Sequence, residues 1–213
     1  MKQKGDLRRI GAVFGNGLLL RNPLLVAALG MYPAAVCFSL SQALPLACLC
    51  LVQSVLAGLV LCLAGQFLPG WARPGIVLAL SAVCWIPAAL LADRWFPGSL
   101  SVLGMTAALQ IANSMVLSRL NEYAPTHILP AVLADALGCT IGAGIFLCAQ
   151  AALRGWLLTG EPWDASGFDS GVLGNAPALP FFGFLILGFC AAAVQAVNAR
   201  RAKHIGRRRV TRL

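Results

Sequence analysis

The chain has 213 residues, of which 59% are hydrophobic and 11% are charged. An ordinary soluble domain is about 25% charged, and a soluble fold of this size could not bury so much apolar surface. Intrinsic disorder is excluded as well, because disordered chains have low hydrophobicity. The composition therefore predicts a polytopic membrane protein, which we expect to form a single membrane domain over residues 1–213.

The net charge of +9 is concentrated at the two ends of the chain. The basic residues there are Lys2, Lys4, Arg8, Arg9, Arg200, Arg201, Lys203, Arg207, Arg208, Arg209 and Arg212. Such tails could bind nucleic acid or anionic lipid, or they could act as a topology signal that keeps both ends in the cytoplasm. We interpret them as the topology signal, with the lipid membrane and no nucleic acid as a partner.

Taken in chain order, the first predicted element is a basic, interfacial segment over residues 1–22, in which residues 10–21 form a short interfacial helix. A spanning helix needs about 20 mostly apolar residues. Six segments meet this requirement, at 23–40, 43–66, 74–93, 99–118, 127–153 and 177–198. The longest loop, at about 155–176, carries acidic residues and faces outward, and residues 199–213 form a basic cytoplasmic tail.

The six predicted helices divide into two halves of three, over residues 23–98 and 99–198. Leu29-Gly30-Met31 in the first half is repeated as Leu103-Gly104-Met105 in the second, although such a short match also arises by chance. Matching halves with three spans each would insert in opposite directions, which is the inverted-repeat architecture of many ion-moving membrane proteins. Pro33 removes a backbone donor within the first span. We predict that the first and fourth helices are broken.

The fourth predicted span carries a polar stripe. Its members are spaced by three and four residues, so one helical face would hold them. They are Thr106, Gln110, Asn113, Ser114 and Ser118. The stripe could line a polar pathway or a cofactor pocket, or it could form interhelical hydrogen bonds.

The fifth predicted span contains a carboxylate, Asp135, about two turns from its start. A carboxylate inside the membrane costs roughly 2.5–3.5 kcal/mol on insertion scales, so it is a candidate ion or proton carrier. The alternative is that Asp135 caps or orients a neighbouring helix or reaches water. Ala134, Gly138 and Gly142 form a ridge of small residues beside it, which allows another helix to approach closely.

Soluble enzyme motifs are absent from the sequence. It contains no P-loop, dinucleotide fingerprint, nucleophile elbow or zinc-ligand spacing. The eight cysteines lie in apolar runs without a CxxC pair, where cysteine behaves as a small hydrophobe. We therefore predict no catalytic residue and no metal site of the usual kinds in this chain.

Several stretches, in this order, resemble the six-helix membrane subunits of the Rnf and Na+-translocating NADH:quinone reductase (Nqr) complexes, and most closely the branch formed by the Rnf E and Nqr D subunits. The matching stretches are Asn22 to Pro33, Leu103 to Met105, Asn113 to Arg119, Glu122 to Ala124, Leu133 to Asp135 with Gly142, and Leu153-Arg154. The resemblance implies an integral subunit of an ion-translocating electron transport complex in a bacterial inner membrane. Its implied partners are a sister six-helix subunit and other Rnf subunits that carry flavin and iron–sulfur groups.

The family pattern has a cysteine at the positions of Tyr32 and Ser114. Those cysteines, with two from the sister subunit, are understood to hold a [2Fe-2S] cluster. Because a phenol and a hydroxyl are not normal substitutes for thiolate at iron, we expect no cofactor from this chain alone, and the family's cluster is in doubt here. The family's acidic residues after Arg119 and Arg154 are also replaced, by Asn121 and Gly155.

Three functions remain open from the sequence. The first is an Rnf-type subunit that is not catalytic alone and that contributes its fold, its interfaces and an ion path. Asp135, Asn113, Gln110 and Thr106 are the candidate residues for that path. The alternatives are a small inverted-repeat ion or solute transporter without electron transfer, and a scaffold or assembly protein of the membrane.

Overall fold

The computed structural model describes residues 2–18, 21–64, 68–163 and 176–210. Within these ranges the regular secondary structure is helical and no strand occurs. The predicted all-α fold is therefore confirmed.

Four long helices form the body of the protein. They are α4 (Leu40–Ala64), α5 (Arg73–Trp95), α9 (Leu129–Thr159) and α10 (Pro180–Val210). Each contains an apolar stretch long enough to cross a membrane, which in α10 covers Pro180–Arg200. These helices correspond to four of the six predicted spans. Among the described residues, no other helix is long and apolar enough to cross a membrane.

The other two predicted spans are not continuous helices. Residues 23–40 contain α2 (Pro23–Ala27), α3 (Tyr32–Val36) and the first residue of α4. Residues 99–118 contain α6 (Ser99–Leu103), α7 (Met105–Leu109), a 3₁₀ turn (Gln110–Ala112) and α8 (Ser114–Ser118). These pieces of three to five residues are far shorter than a spanning helix. The predicted breaks are present, but not the full set of six long helices.

The positions of the breaks follow from backbone conformation. Ala28 and Gly30 have φ of 54° and 71°, and Gly104 has φ of 51°, so a right-handed helix cannot continue through them. The prediction that Pro33 breaks a helix is wrong. Pro33 lies in the first turn of α3 instead. A proline is tolerated there, since the N–H of that position has no partner in a helix.

The predicted polar stripe of the fourth span is wrong as a single helical face. Gly104, the 3₁₀ turn and the extended Asn113 divide this segment into separate pieces. Thr106 Oγ1 donates to the carbonyl of Leu103 on the other side of Gly104, and Ser118 Oγ donates to the carbonyl of Met115 within α8. The five residues of the stripe therefore do not share one helical face.

The N-terminal helix, α1 (Lys2–Leu18), packs against the ridge of small residues on α9. Backbone atoms of Phe14 and Leu18 lie directly against Gly138 and Gly142. A methyl group on Gly138 would be 2.6 Å from the carbonyl oxygen of Phe14. The close helix approach that the ridge predicts is confirmed, and α1 covers a longer range than the predicted helix at residues 10–21.

Candidate functional site

The two broken segments meet at one side of the bundle. The backbone N–H of Gly30 donates to Ser114 Oγ over 2.8 Å. Nearby, the Tyr32 hydroxyl donates to Gln110 Oε1. Tyr32 and Ser114, where the resemblance implies cysteines in the family, therefore lie in two segments in direct contact. Ser114 is exposed, Tyr32 is half-buried and Gln110 is fully buried.

Two asparagines begin the short helices at this contact. Asn22 caps α2 and Asn113 caps α8, and in each the side-chain oxygen accepts the N–H two residues later over 3.0 Å. Asn113 Nδ2 also donates to Gln110 Oε1 over 3.0 Å. Asn22 Nδ2 donates to the carbonyl of Cys139 over 3.0 Å, which attaches α2 to α9. Our sequence reasoning missed this role of Asn22, although Asn followed by Pro is a helix-start signal.

Polar side chains on α4 and α5 form hydrogen bonds that reach the second broken segment. Gln53 Nε2 donates to Ser81 Oγ over 2.8 Å, and Ser81 Oγ donates to the carbonyl of Ile111 over 2.8 Å. Both side chains are fully buried. Neither residue is among the predicted site residues, because in the sequence each is only a single polar residue within an apolar run.

A small cavity of about 30 Å³ lies beside this contact. Gly30, Cys50, Gln110, Asn113 and Thr140 contribute to its wall. Gln110 Nε2 has no hydrogen-bond partner among the described residues. The space suits about one water molecule, which needs a few polar partners of this kind.

The donor set at this contact does not fit an iron–sulfur cluster. The Tyr32 oxygen is bonded to Gln110, and Ser114 Oγ accepts from Gly30. Cys50 is a nearby thiol that sequence reasoning missed, with its sulfur 4.0 Å from Asn113 Nδ2, but it is a single sulfur. Such a cluster needs four ligands, which are usually thiolates. In the part of the chain that the structure describes, no three His, Cys, Asp or Glu side chains are grouped to hold a metal.

Asp135 lies in a second, separate place near the start of α9. Its Oδ2 is 3.6 Å from Nε of Arg119, and its Oδ1 accepts from the Cys139 thiol over 3.7 Å. Arg119 also donates to the carbonyl of Arg21 over 3.2 Å, just after α1. The lining of the small space beside Asp135 shares no residue with the cavity at Gln110. Asp135 and Gln110 therefore line separate spaces in the described part of the chain, and Thr106 lines neither of them.

The turn before α9 packs its aromatic side chains near this ion pair. Tyr123 and His127 are stacked with ring centroids 3.8 Å apart. Burial, and then the charge of Asp135, raise the pKa of the Tyr123 phenol above its ordinary value. The phenol consequently stays neutral at physiological pH and adds no charge to the Arg119–Asp135 pair.

Arg154, near the end of α9, is the largest fully buried side chain among the described residues. Its guanidinium donates to backbone carbonyl oxygens at the end of α3 and in the turn before α10. The acceptors are Ala34, Ala35, Cys37, Pro177, Ala178 and Leu179, at 2.8–3.3 Å. Gln150 donates to the carbonyl of Ala34 as well. Arg154 thus holds the end of the first broken segment, a role that sequence reasoning missed.

Comparison with known proteins adds an independent finding. The chain matches the family model described as "Rnf-Nqr subunit, membrane protein" over residues 10–194. It is also similar to a protein of Edwardsiella ictaluri (strain 93-146) that is named as the E subunit of an ion-translocating oxidoreductase complex. The two sequences are 26% identical over 92% of this chain and 89% of the relative. The range matched by the family model contains both broken segments, Asp135 and Arg154.

Proposed function

Because the chain belongs to the Rnf-Nqr family of membrane subunits, we propose that it is an integral subunit of an Rnf-type ion-translocating oxidoreductase complex. In such a complex, electron transfer is coupled to the movement of Na+ or H+. The family match over residues 10–194 is the observation that carries this proposal. The name of the Edwardsiella ictaluri relative agrees with it. The chain is not catalytic alone and acts with other subunits.

The proposal includes two inverted three-helix repeats. Supporting it, short helices precede two long helices twice along the chain. In the first half α2 and α3 precede α4 and α5, and in the second half α6, α7 and α8 precede α9 and α10. The broken segments then serve as the first and fourth spans. Six crossings place both basic tails on the cytoplasmic side of a bacterial inner membrane, as positively charged tails favour.

This protein, in our proposal, gives no ligand to an iron–sulfur cluster. Hydrogen bonds take the place of metal ligands at Tyr32 and Ser114, and they join the two broken segments directly. Electrons that cross the complex then use cofactors held by other subunits. The contribution of this chain is the fold, the interfaces and the buried polar groups at Gln110, Asn113 and Asp135.

The partner proposed for the contact face is a sister six-helix subunit, and flavin and iron–sulfur proteins lie elsewhere in the complex. The outer side of the contact favours a neighbouring protein or lipid, because Ser114 and Met31 are exposed there. Small and apolar side chains of this kind allow close packing between membrane helices.

A pull-down of the tagged full-length chain in mild detergent tests the proposal. We expect mass spectrometry to find a sister six-helix subunit together with flavin and iron–sulfur proteins. Recovery of the chain alone or as a homodimer would overturn the assignment to such a complex and would favour a transporter, which flux assays could then test.

The iron content of the chain, separated from its partners, tests the second part of the proposal. We expect no stoichiometric iron and no paramagnetic resonance signal of a reduced cluster. A reducible cluster that stays with this chain would refute that part and leave the family assignment intact.

A further inference from the structure

Each broken segment packs against the long helices of the other half of the chain. The first broken segment, at residues 23–40, contacts α9 and α10 through α2 and α3. The second, at residues 99–118, contacts α4 and α5. The halves at residues 23–98 and 99–198 are therefore interlocked, and each supplies the support for the broken segment of the other.

Gln53 on α4 reaches the second broken segment by two routes. Its Nε2 donates directly to the carbonyl of Gln110 over 3.3 Å. It also donates over 2.8 Å to Ser81 Oγ, which in turn donates to the carbonyl of Ile111 over 2.8 Å. A backbone carbonyl within the membrane needs a partner from the protein. Gln53 thereby fixes the 3₁₀ turn from which the Gln110 side chain extends.

Gln150 on α9 has the corresponding place in the first broken segment. Its Nε2 donates to the carbonyl of Ala34, which lies in α3. Tyr32 is the first residue of that short helix. Gln150 therefore holds the helix from which the Tyr32 side chain extends.

The two glutamines have the same arrangement. Gln53 and Gln150 are buried on the first long helix of their respective halves. In both, the amide nitrogen donates to the broken segment of the other half, and the amide oxygen has no hydrogen-bond partner among the described residues. A buried polar atom without a partner costs about 1–3 kcal/mol. The donor end of each side chain is therefore the end that the fold uses.

The effects of the two glutamines converge on one hydrogen bond. The Tyr32 hydroxyl donates to Gln110 Oε1. Gln53 holds the residue that carries the acceptor, and Gln150 holds the helix that carries the donor. We propose that Gln53 and Gln150 are positioning residues that act across the two halves and together set the contact between Tyr32 and Gln110. The value of this contact to the complex rests on the proposed function, in which the sister subunit meets this face.

Fluorine NMR of the full-length chain in detergent tests the proposal. The chain has two tyrosines, so Tyr123→Phe leaves Tyr32 as the only site for biosynthetic 3-fluorotyrosine. Its resonance reports the surroundings of the Tyr32 hydroxyl. Gln110→Met in the same background removes the acceptor and gives the reference position for a lost bond.

Methionine has nearly the length of glutamine but no donor, so it is the substitution for both positioning residues. We expect Gln53→Met and Gln150→Met each to shift the Tyr32 resonance toward the reference position. Gln195→Met is the matched control. Gln195 donates to the carbonyl of Val26, which lies in α2 of the same broken segment, and its loss should leave the resonance unchanged.

A milder variant keeps the test decisive if Gln53→Met lowers the amount of folded protein. Ser81→Ala leaves Gln53 bonded to the backbone carbonyls of residues 81 and 110, while the bond to Ile111 is lost. We expect a smaller shift in the same direction. This readout separates positioning from stability, because a purely structural residue would lower the unfolding temperature without moving the resonance of the folded protein.

Two results would overturn the proposal. An unchanged Tyr32 resonance in folded Gln53→Met and Gln150→Met would show that the glutamines only stabilise the bundle. An equal shift in Gln195→Met would indicate a general loosening of the first broken segment. Either result concerns the chain alone, so the assignment to an Rnf-type complex would still depend on the pull-down.

Discussion

Arg154 and Arg119 lie near opposite ends of α9, and they are stabilised in different ways. Arg154 is fully buried, and in the described part of the chain its guanidinium contacts carbonyl oxygens without a carboxylate. The Arg119 side chain is 29% exposed and pairs with Asp135. A buried charge needs hydrogen bonds in every direction, whereas a partly exposed charge can also use water.

The difference follows from the broken segments. A short helix leaves carbonyl groups at its end without partners, and hydrocarbon cannot satisfy them. Arg154 supplies donors to that end of α3, so the arginine and the helix end satisfy each other. Arg119 instead joins the end of the second broken segment to the start of α9 through one counter-charge. We therefore expect structural losses at Arg154 and functional losses at Asp135.

Replacement of Arg154 should give the largest effect. Arg154→Met removes donors from several buried carbonyl groups, so we expect the free energy of unfolding to fall by about 3 kcal/mol or more. Thermal unfolding in detergent and the protein level in membranes are the measurements. Arg94→Met is the control, because Arg94 is exposed at the end of α5. A similar loss in both variants would contradict a special role for Arg154.

A change that disturbs the packing of α1 against α9 should give the next largest effect. Gly142→Ala places a methyl group against the carbonyl oxygen of Leu18, so we expect a loss of about 1–3 kcal/mol in unfolding free energy. Gly188→Ala in α10 meets no atom within 4 Å and should be neutral or slightly stabilising, since alanine favours helix. Equal behaviour of the two variants in thermal unfolding would show that α1 does not pack closely.

The ion pair itself should contribute modestly to stability. A double-mutant cycle of Asp135→Asn and Arg119→Gln should give a coupling energy of about 1 kcal/mol, because Arg119 is partly solvated. If Asp135 takes part in ion movement, Asp135→Asn should reduce ion-dependent activity of the complex more than its protein level. Parallel loss of both would assign Asp135 to folding alone.

The smallest effect should come from the contact of the broken segments. Tyr32→Phe removes the hydrogen bond to Gln110, while Asn113 still donates to that amide. We expect a loss of only about 0.5 kcal/mol in unfolding free energy, because Gln110 keeps one hydrogen-bond donor. Tyr123→Phe keeps the ring stacked on His127 and provides the matched control in thermal unfolding. A larger loss at Tyr123 would contradict the importance of the Tyr32 bond.

Much of the fold was predictable because its causes are local. Long apolar runs predict α4, α5, α9 and α10, since a backbone in hydrocarbon must satisfy its own hydrogen bonds. Pro33 led to the prediction of a break in the first segment, although the break itself lies at Ala28 and Gly30. The prediction that the polar stripe occupies one helical face was wrong, because the break at Gly104 and the extended backbone at Asn113 change which side chains share a face.

The sequence by itself determined the class of protein, the long helices and the presence of the breaks, because each depends on neighbouring residues or on a recognisable pattern. Only the tertiary structure decided which polar groups meet. Tyr32 bonds to Gln110 across 78 positions of the chain, and Arg154 reaches the carbonyl of Ala34 across 120. Such contacts depend on how the helices pack, and periodicity along a single segment does not report that packing.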